Sequence, residues 1–160
     1  MDARTPAVLD TSFWVHAFAV GLLQHVLRLY AVHYTPEVAS ELPDTFASGR
    51  EFRWLVRSGE LTEVIPRHDR VGMFGAGERS ALNVALEHRD WVLLLDDVRP
   101  FSYAAGVGLR IVYSPRLVVL LREEGAIGHA AAMGLLGELA RLATVSPELI
   151  ALAISLLPRR

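Results

Sequence analysis

At 160 residues and 17.6 kDa, with 52% hydrophobic residues, the chain is expected to form one domain that needs no staple. It has no cysteine, which excludes disulfides, thiolate metal sites and a Cys nucleophile, and no lysine, which excludes a P-loop. A net charge of −2 gives no global basic field, so a polyanion would have to be met by a local arginine surface or a metal.

The first apolar run, Ala7-Val8-Leu9, ends at Asp10-Thr11-Ser12, the pattern of a strand that turns straight into a helix. That helix is expected over 12–29. A second strand, Ala31 to Tyr34, leads through Thr35-Pro36 into a helix over 36–46 that carries Glu37 and Glu41 on one face. Further helix follows over 50–58, with Arg50, Arg53 and Arg57 at helical spacing. These arginines form either a solvated face, the favoured reading, or a stripe for phosphates.

The remaining strands are expected at Leu61 to Ile65, Trp91 to Leu95 and Arg110 to Tyr113. Between the first two, Gly75-Ala76-Gly77 opens a helix over 78–88 that begins with Glu78-Arg79. The two glycines would permit close backbone approach there. Asp96-Asp97 close the fourth strand before Arg99-Pro100 and a helix over 100–107. Side chains alternate along a strand, so one aspartate would face the cleft and the other cap the next turn. Asp96 is favoured for the cleft and Asp97 stays open; Glu41 is favoured over Glu37, whose place in the first turn already suits the helix dipole.

Short continuous apolar strands alternating with helices imply a parallel sheet covered on both faces, an α/β sandwich. After the fifth strand the chain turns helical: Pro115 to Glu124, then two further helices, the last announced by Ser146-Pro147-Glu148. Residues 1–128 are expected to form the domain and 129–160 a helical extension packed on it. No window approaches the roughly 18 apolar residues of a membrane span. The first residues carry no secretory signal, and a cytoplasmic location is expected.

Ligands of parallel α/β sheets bind outside the carboxyl ends of strands, so Asp10 and the Asp96–Asp97 pair would meet at one mouth. Several acids there repel one another unless a cation is bound, and Mg²⁺ or Mn²⁺ takes oxygen ligands. The six histidines are scattered without zinc spacing.

Four segments in order, Val8-Leu9-Asp10-Thr11-Ser12, Pro36 to Leu42, Gly75 to Leu82 and Leu93 to Asp97, resemble the PIN domain, in particular prokaryotic PIN-like proteins related to VapC-like toxin ribonucleases. Ala104 to Val112 and Leu117 to Gly125 are similar to that family's closing strand and helix. Ser80 stands where this branch often has a second glutamate. The resemblance implies a three-layer α/β/α sandwich with about five parallel strands, extra C-terminal helices, and hydrolysis of RNA phosphodiester bonds. It carries over Asp10, Glu41, Glu78 and Asp96 as catalytic acids, with Asp10, Glu78, Asp96 and Asp97 as ligands of Mg²⁺ or Mn²⁺. Thr11, Ser12, Arg79 and Arg99, beside those acids, are the candidate substrate contacts. It also implies a small antitoxin protein as partner. The apolar stretch Leu149 to Leu157 either finishes the core or serves a homodimer. The rival reading is a catalytically silent PIN-like module that binds nucleic acid or protein.

Overall fold

The computed structural model describes residues 3–159; the outermost residues of the expected domain bounds, 1, 2 and 160, lie outside the described residues. Five strands, β1 (Thr5–Leu9), β2 (Tyr30–Tyr34), β3 (Thr62–Glu63), β4 (Val92–Leu94) and β5 (Arg110–Val112), form one sheet in the order β3-β2-β1-β4-β5. Every neighbouring pair is parallel. From β1 the chain winds outward to β2 and β3, then returns to β4 on the other side of β1. The reversal lies between β1 and β4, the switch point at which parallel sheets open a crevice. Val8 is paired with Leu93 and Leu9 with Leu94, so Asp10 leaves β1 beside the start of the Leu95-Asp96-Asp97 segment. The Asp10 N–H still donates to the Leu94 carbonyl at 2.9 Å.

Alternation along the strands divides the core in two. Ala7 and Leu9 of β1, with Val92 and Leu94 of β4, face a layer built on α1 (Thr11–Ala19), α2 (Leu23–Leu29), α4 (Ala47–Arg57) and α7 (Ser114–Glu123). Val8 and Leu93 face α5 (Ala76–Glu87) and α6 (Val98–Gly106). This is the expected three-layer α/β/α arrangement. The terminal helices α8 (His129–Arg141) and α9 (Pro147–Leu156) add Ala132, Leu136, Leu139, Leu149, Ile150 and Ala153 to the first core. The Ser146 hydroxyl caps α9 by accepting from the Glu148 N–H at 3.2 Å.

Three local expectations need correction. The helix expected over 12–29 is two helices, because Gly21 takes φ +75° and the Leu22 N–H closes the turn on the Ala17 carbonyl at 2.8 Å. The helix expected over 36–46 stops at Ser40 as α3 (Pro36–Ser40). Pro43 has no N–H to continue it and disfavours helix at Leu42. The third strand shrinks to Thr62–Glu63, an exposed edge.

Candidate functional site

Asp10 emerges from the centre of the sheet and caps α1: Oδ2 accepts from the Ser12 N–H at 3.3 Å and from Ser12 Oγ at 2.5 Å. The aspartate itself is the N-cap of α1. Its other oxygen, Oδ1, is buried without any hydrogen-bond partner. The residue is 1% exposed, and burial, reinforced by the neighbouring Glu41 charge and opposed by Ser12 and the Thr11 and Ser12 amides, pushes its pKa up to about 6.

Glu41 follows the short α3 and is held from two sides. Thr11 Oγ1 donates to Oε2 at 2.5 Å and the Gly77 N–H, in the first turn of α5, donates to Oε1 at 2.9 Å. A methyl group on Gly77 would stand 2.5 to 2.8 Å from the Glu41 carboxylate, so here the absent side chain is what lets helix and acid touch. Gly75 has open space around it and carries no such constraint. Glu37 is exposed and lines a lateral hollow with Arg67, His68 and Arg79.

Glu78 lies one position beyond that contact. Its pKa is pushed up to about 7 by burial, by the charges of Asp10 and Asp97, and by a hydrogen bond shared with the Asp97 carboxyl group. Asp97 also caps α6, accepting from the Arg99 N–H at 3.2 Å. The loop into α5 is set by Phe74, the described non-glycine residue with positive φ, +74°. Its ring meets Tyr103 edge-on at 5.8 Å.

Asp10, Glu41, Glu78 and Asp97 therefore form one electrostatically coupled group. Asp96 is turned the other way. Its Oδ1 accepts from the Ser114 N–H at 2.5 Å, and its Oδ2 accepts from Ser114 Oγ at 2.6 Å and from His16 Nδ1 at 2.6 Å. A carboxylate only accepts, so Nδ1 carries the hydrogen, and Nε2 faces Thr144 Oγ1 at 2.7 Å. Of the expected pair, Asp97 faces the acids as well as capping, and Asp96 lies beneath with three donors on it. His16 carried no sequence signal, being one polar residue on an apolar helix. Thr144 lies far along the chain, in the loop between α8 and α9.

The expected substrate contacts divide similarly. Thr11 and Ser12 are committed to Glu41 and Asp10. Arg79 approaches Asp69 at 3.8 Å on the lateral side, and the Arg99 side chain is exposed beside Asp97. Ser80 is buried, bonded to Thr35 Oγ1 at 2.6 Å and to the Gly77 carbonyl at 2.9 Å, which ties α5 to the cap of α3.

A family model described as PIN domain matches residues 6–157. The chain belongs to the PIN domain family. No curated protein matches it. Among solved structures, that of the PIN domain endonuclease Utp24 aligns with a TM-score of 0.53 at 12% identity, over 68% of this chain and 84% of that one. This likeness concerns the fold. In this PIN domain the acids stand at the switch point, and the chemistry of the set fits a divalent cation. The donors are oxygens, two of the carboxyl groups have raised pKa values, and Asp10 Oδ1 is buried with no donor of its own. Among the described residues no three acidic or histidine side chains already converge to coordinating distance; the hydrogen bond shared by Glu78 and Asp97 would have to open.

Proposed function

We propose that this PIN domain protein is a divalent-metal-dependent endoribonuclease that hydrolyses RNA phosphodiester bonds at the mouth formed by Asp10, Glu41, Glu78 and Asp97. The observation that carries the reading is the orphaned, buried Asp10 oxygen, at a mouth where burial, aided by neighbouring charge, raises the pKa of Asp10 to about 6 and of Glu78 to about 7. Such an arrangement is costly without a cation and relieved by one.

Asp10, Glu78 and Asp97 would hold Mg²⁺ or Mn²⁺, and Asp96 would join them by releasing one of its three donors. Bound there, the ion would supply Lewis acidity toward water and phosphodiester. Glu41, fixed by Thr11 and the Gly77 amide, would orient the attacking water and take its proton. Hydrolysis forms one bond from phosphorus to the water oxygen and breaks another, the departing oxygen leaving with a proton. Arg99, exposed beside the acids, would meet a non-bridging phosphate oxygen. The resemblance to VapC-like proteins extends the reading to a cytoplasmic toxin, with a small antitoxin laid across the mouth.

Cleavage of tRNA, rRNA fragments and single-stranded DNA with Mn²⁺ or Mg²⁺, comparing wild type with Asp10→Asn, tests it. Metal-dependent cleavage of RNA that the variant loses is expected. Equal activity in both proteins would reject the assignment. A second reading, a silent binding module, draws on the same acids being hydrogen-bonded to one another and on Asp96 being fully occupied. RNA binding with no cleavage in either metal would favour it.

A further inference from the structure

A groove of about 570 Å³ runs between α1 and α4, lined by Phe18, Asp44, Arg50, Arg53, Trp54 and Arg57 among others. It begins at Asp44, shortly after Glu41, and follows α4 for its length, about 15 Å at 1.5 Å per residue. Trp14, on the first turns of α1, donates its indole N–H to the Ser48 carbonyl at 2.9 Å, which fixes α4 against the helix that Asp10 caps.

The groove combines two features that a packed or merely solvated helix face does not need. Trp54 is 58% exposed. The other two tryptophans are satisfied: Trp14 is buried, and Trp91 is stacked against His33 and His88 with ring centroids 4.2 and 4.1 Å away. Around Trp54 stand Arg50, Arg53 and Arg57, one turn before, adjacent and one turn after. None of the three is in an ion pair among the described residues. Arg50 donates only to the Asp44 and Thr45 carbonyls, at 3.1 and 3.4 Å. Arg53 donates to the Ala39 carbonyl at 3.3 Å and keeps a buried Nε with no acceptor. Asp44 and Glu51 also line the groove, so three guanidinium groups stand against two carboxylates, and charge alone is a modest attraction.

We propose that the α1–α4 groove is a track for single-stranded RNA, in which a base stacks on Trp54 while Arg50 and Arg57 hold the flanking phosphates of the strand leading to the acidic mouth. An aromatic face with flanking cations is the recurring arrangement for single strands, because every base offers a π-face and each phosphate a charge. A duplex keeps its bases paired and stacked inside and gives Trp54 nothing to stack on. The proposal rests on the nuclease reading only for the direction of the strand, not for its binding.

The test measures binding without cleavage. A ten-nucleotide oligouridylate is titrated into the full chain in EDTA, with tryptophan fluorescence and anisotropy as readouts. Quenching is expected, since Trp54 is the exposed indole. Trp54→Ala should abolish the quench and weaken binding roughly ten-fold, within the range for loss of one stacked base, while Trp54→Phe restores affinity. Arg50→Gln with Arg57→Gln should lower the dependence of log affinity on log salt by about 1.4 in slope, near 0.7 per phosphate on a single strand. Thermal unfolding of each variant should match wild type, because these side chains are solvent-exposed. Heparin, a polyanion without bases, should compete at low salt without quenching. Equal quenching by heparin or by duplex RNA, or unchanged affinity in Trp54→Ala, would overturn the track. Metal-dependent cleavage with unchanged affinity in these variants would remove the track and leave the nuclease standing. Binding at Trp54 without cleavage in any metal would do the reverse.

Discussion

Replacing Asp10 by asparagine is expected to stabilise the metal-free protein at neutral and alkaline pH and to abolish its stabilisation by Mn²⁺. Burial raises the Asp10 pKa from 3.8 to about 6. The folded state therefore holds its proton more tightly than the unfolded chain does. Stability from this group is fully present below the unfolded value of 3.8 and is lost as pH rises to the folded value near 6. At roughly 1.4 kcal/mol per pH unit the complete loss is about 3 kcal/mol, or about 6–10 °C in Tm for a domain of this size. Asparagine keeps an oxygen for the Ser12 N–H and hydroxyl and adds no charge, so most of that loss should be recovered. Urea denaturation in EDTA at pH 4 and pH 8 measures it: the variant should be more stable by up to about 3 kcal/mol at pH 8 and nearly equal to wild type at pH 4. Added Mn²⁺ should then stabilise wild type by mass action and leave the variant unchanged. A variant no more stable at pH 8, or equally favoured at both pH values, would refute the argument that buried charge at Asp10 strains the free site.

Gly77→Ala should displace the Glu41 carboxylate, which its new methyl would approach to 2.5 Å; kcat should fall at least ten-fold with little change in Tm, by steady-state cleavage and calorimetry. Gly49→Ala should act on the fold instead. Its Cβ would stand 1.9 Å from the Pro43 carbonyl oxygen, backbone that cannot step aside, and a loss of about 3 kcal/mol or more by urea denaturation is expected. Thr144→Val should leave the buried His16 Nε2 without its partner, costing roughly 1–3 kcal/mol and weakening Mn²⁺ binding measured by calorimetric titration.

The sheet was legible because each strand is a short apolar run closed by a polar or turn residue, and because strand and helix alternate. The acids were legible for the same reason: Asp10 and Asp96–Asp97 end strands that a parallel sheet must place side by side. Which member of the pair faces outward was not, since that depends on Ser114 and His16, supplied by α7 and α1. Strand alternation divided cleft and cap between the two aspartates, whereas Asp97 both caps and faces the acids and Asp96 is bound by Ser114 and His16. The stop at Ser40 was written in Pro43, and the break at Gly21 in a single glycine whose φ of +75° only the packed turn reveals. The stripe of Arg50, Arg53 and Arg57 was legible from its spacing, but the groove beside Trp54 was not, because arginines at helical spacing look alike whether or not carboxylates answer them. Only three-dimensional neighbours show that these go unanswered.

The hydrogen bond that Thr144 donates to His16 Nε2 spans 128 positions, a separation that bears on folding. Contacts between nearby residues form early, whereas closing so long a loop must wait until the segments between have condensed. The Asp10 cap is local, whereas the sheet already joins distant segments by pairing Val8 with Leu93. The donors on Asp96 come from Ser114 and His16, and Thr144 only completes the partners of His16. Loosening of α8 and α9 would thus be felt first at His16, whose imidazole would then bear on Asp96 with one partner fewer.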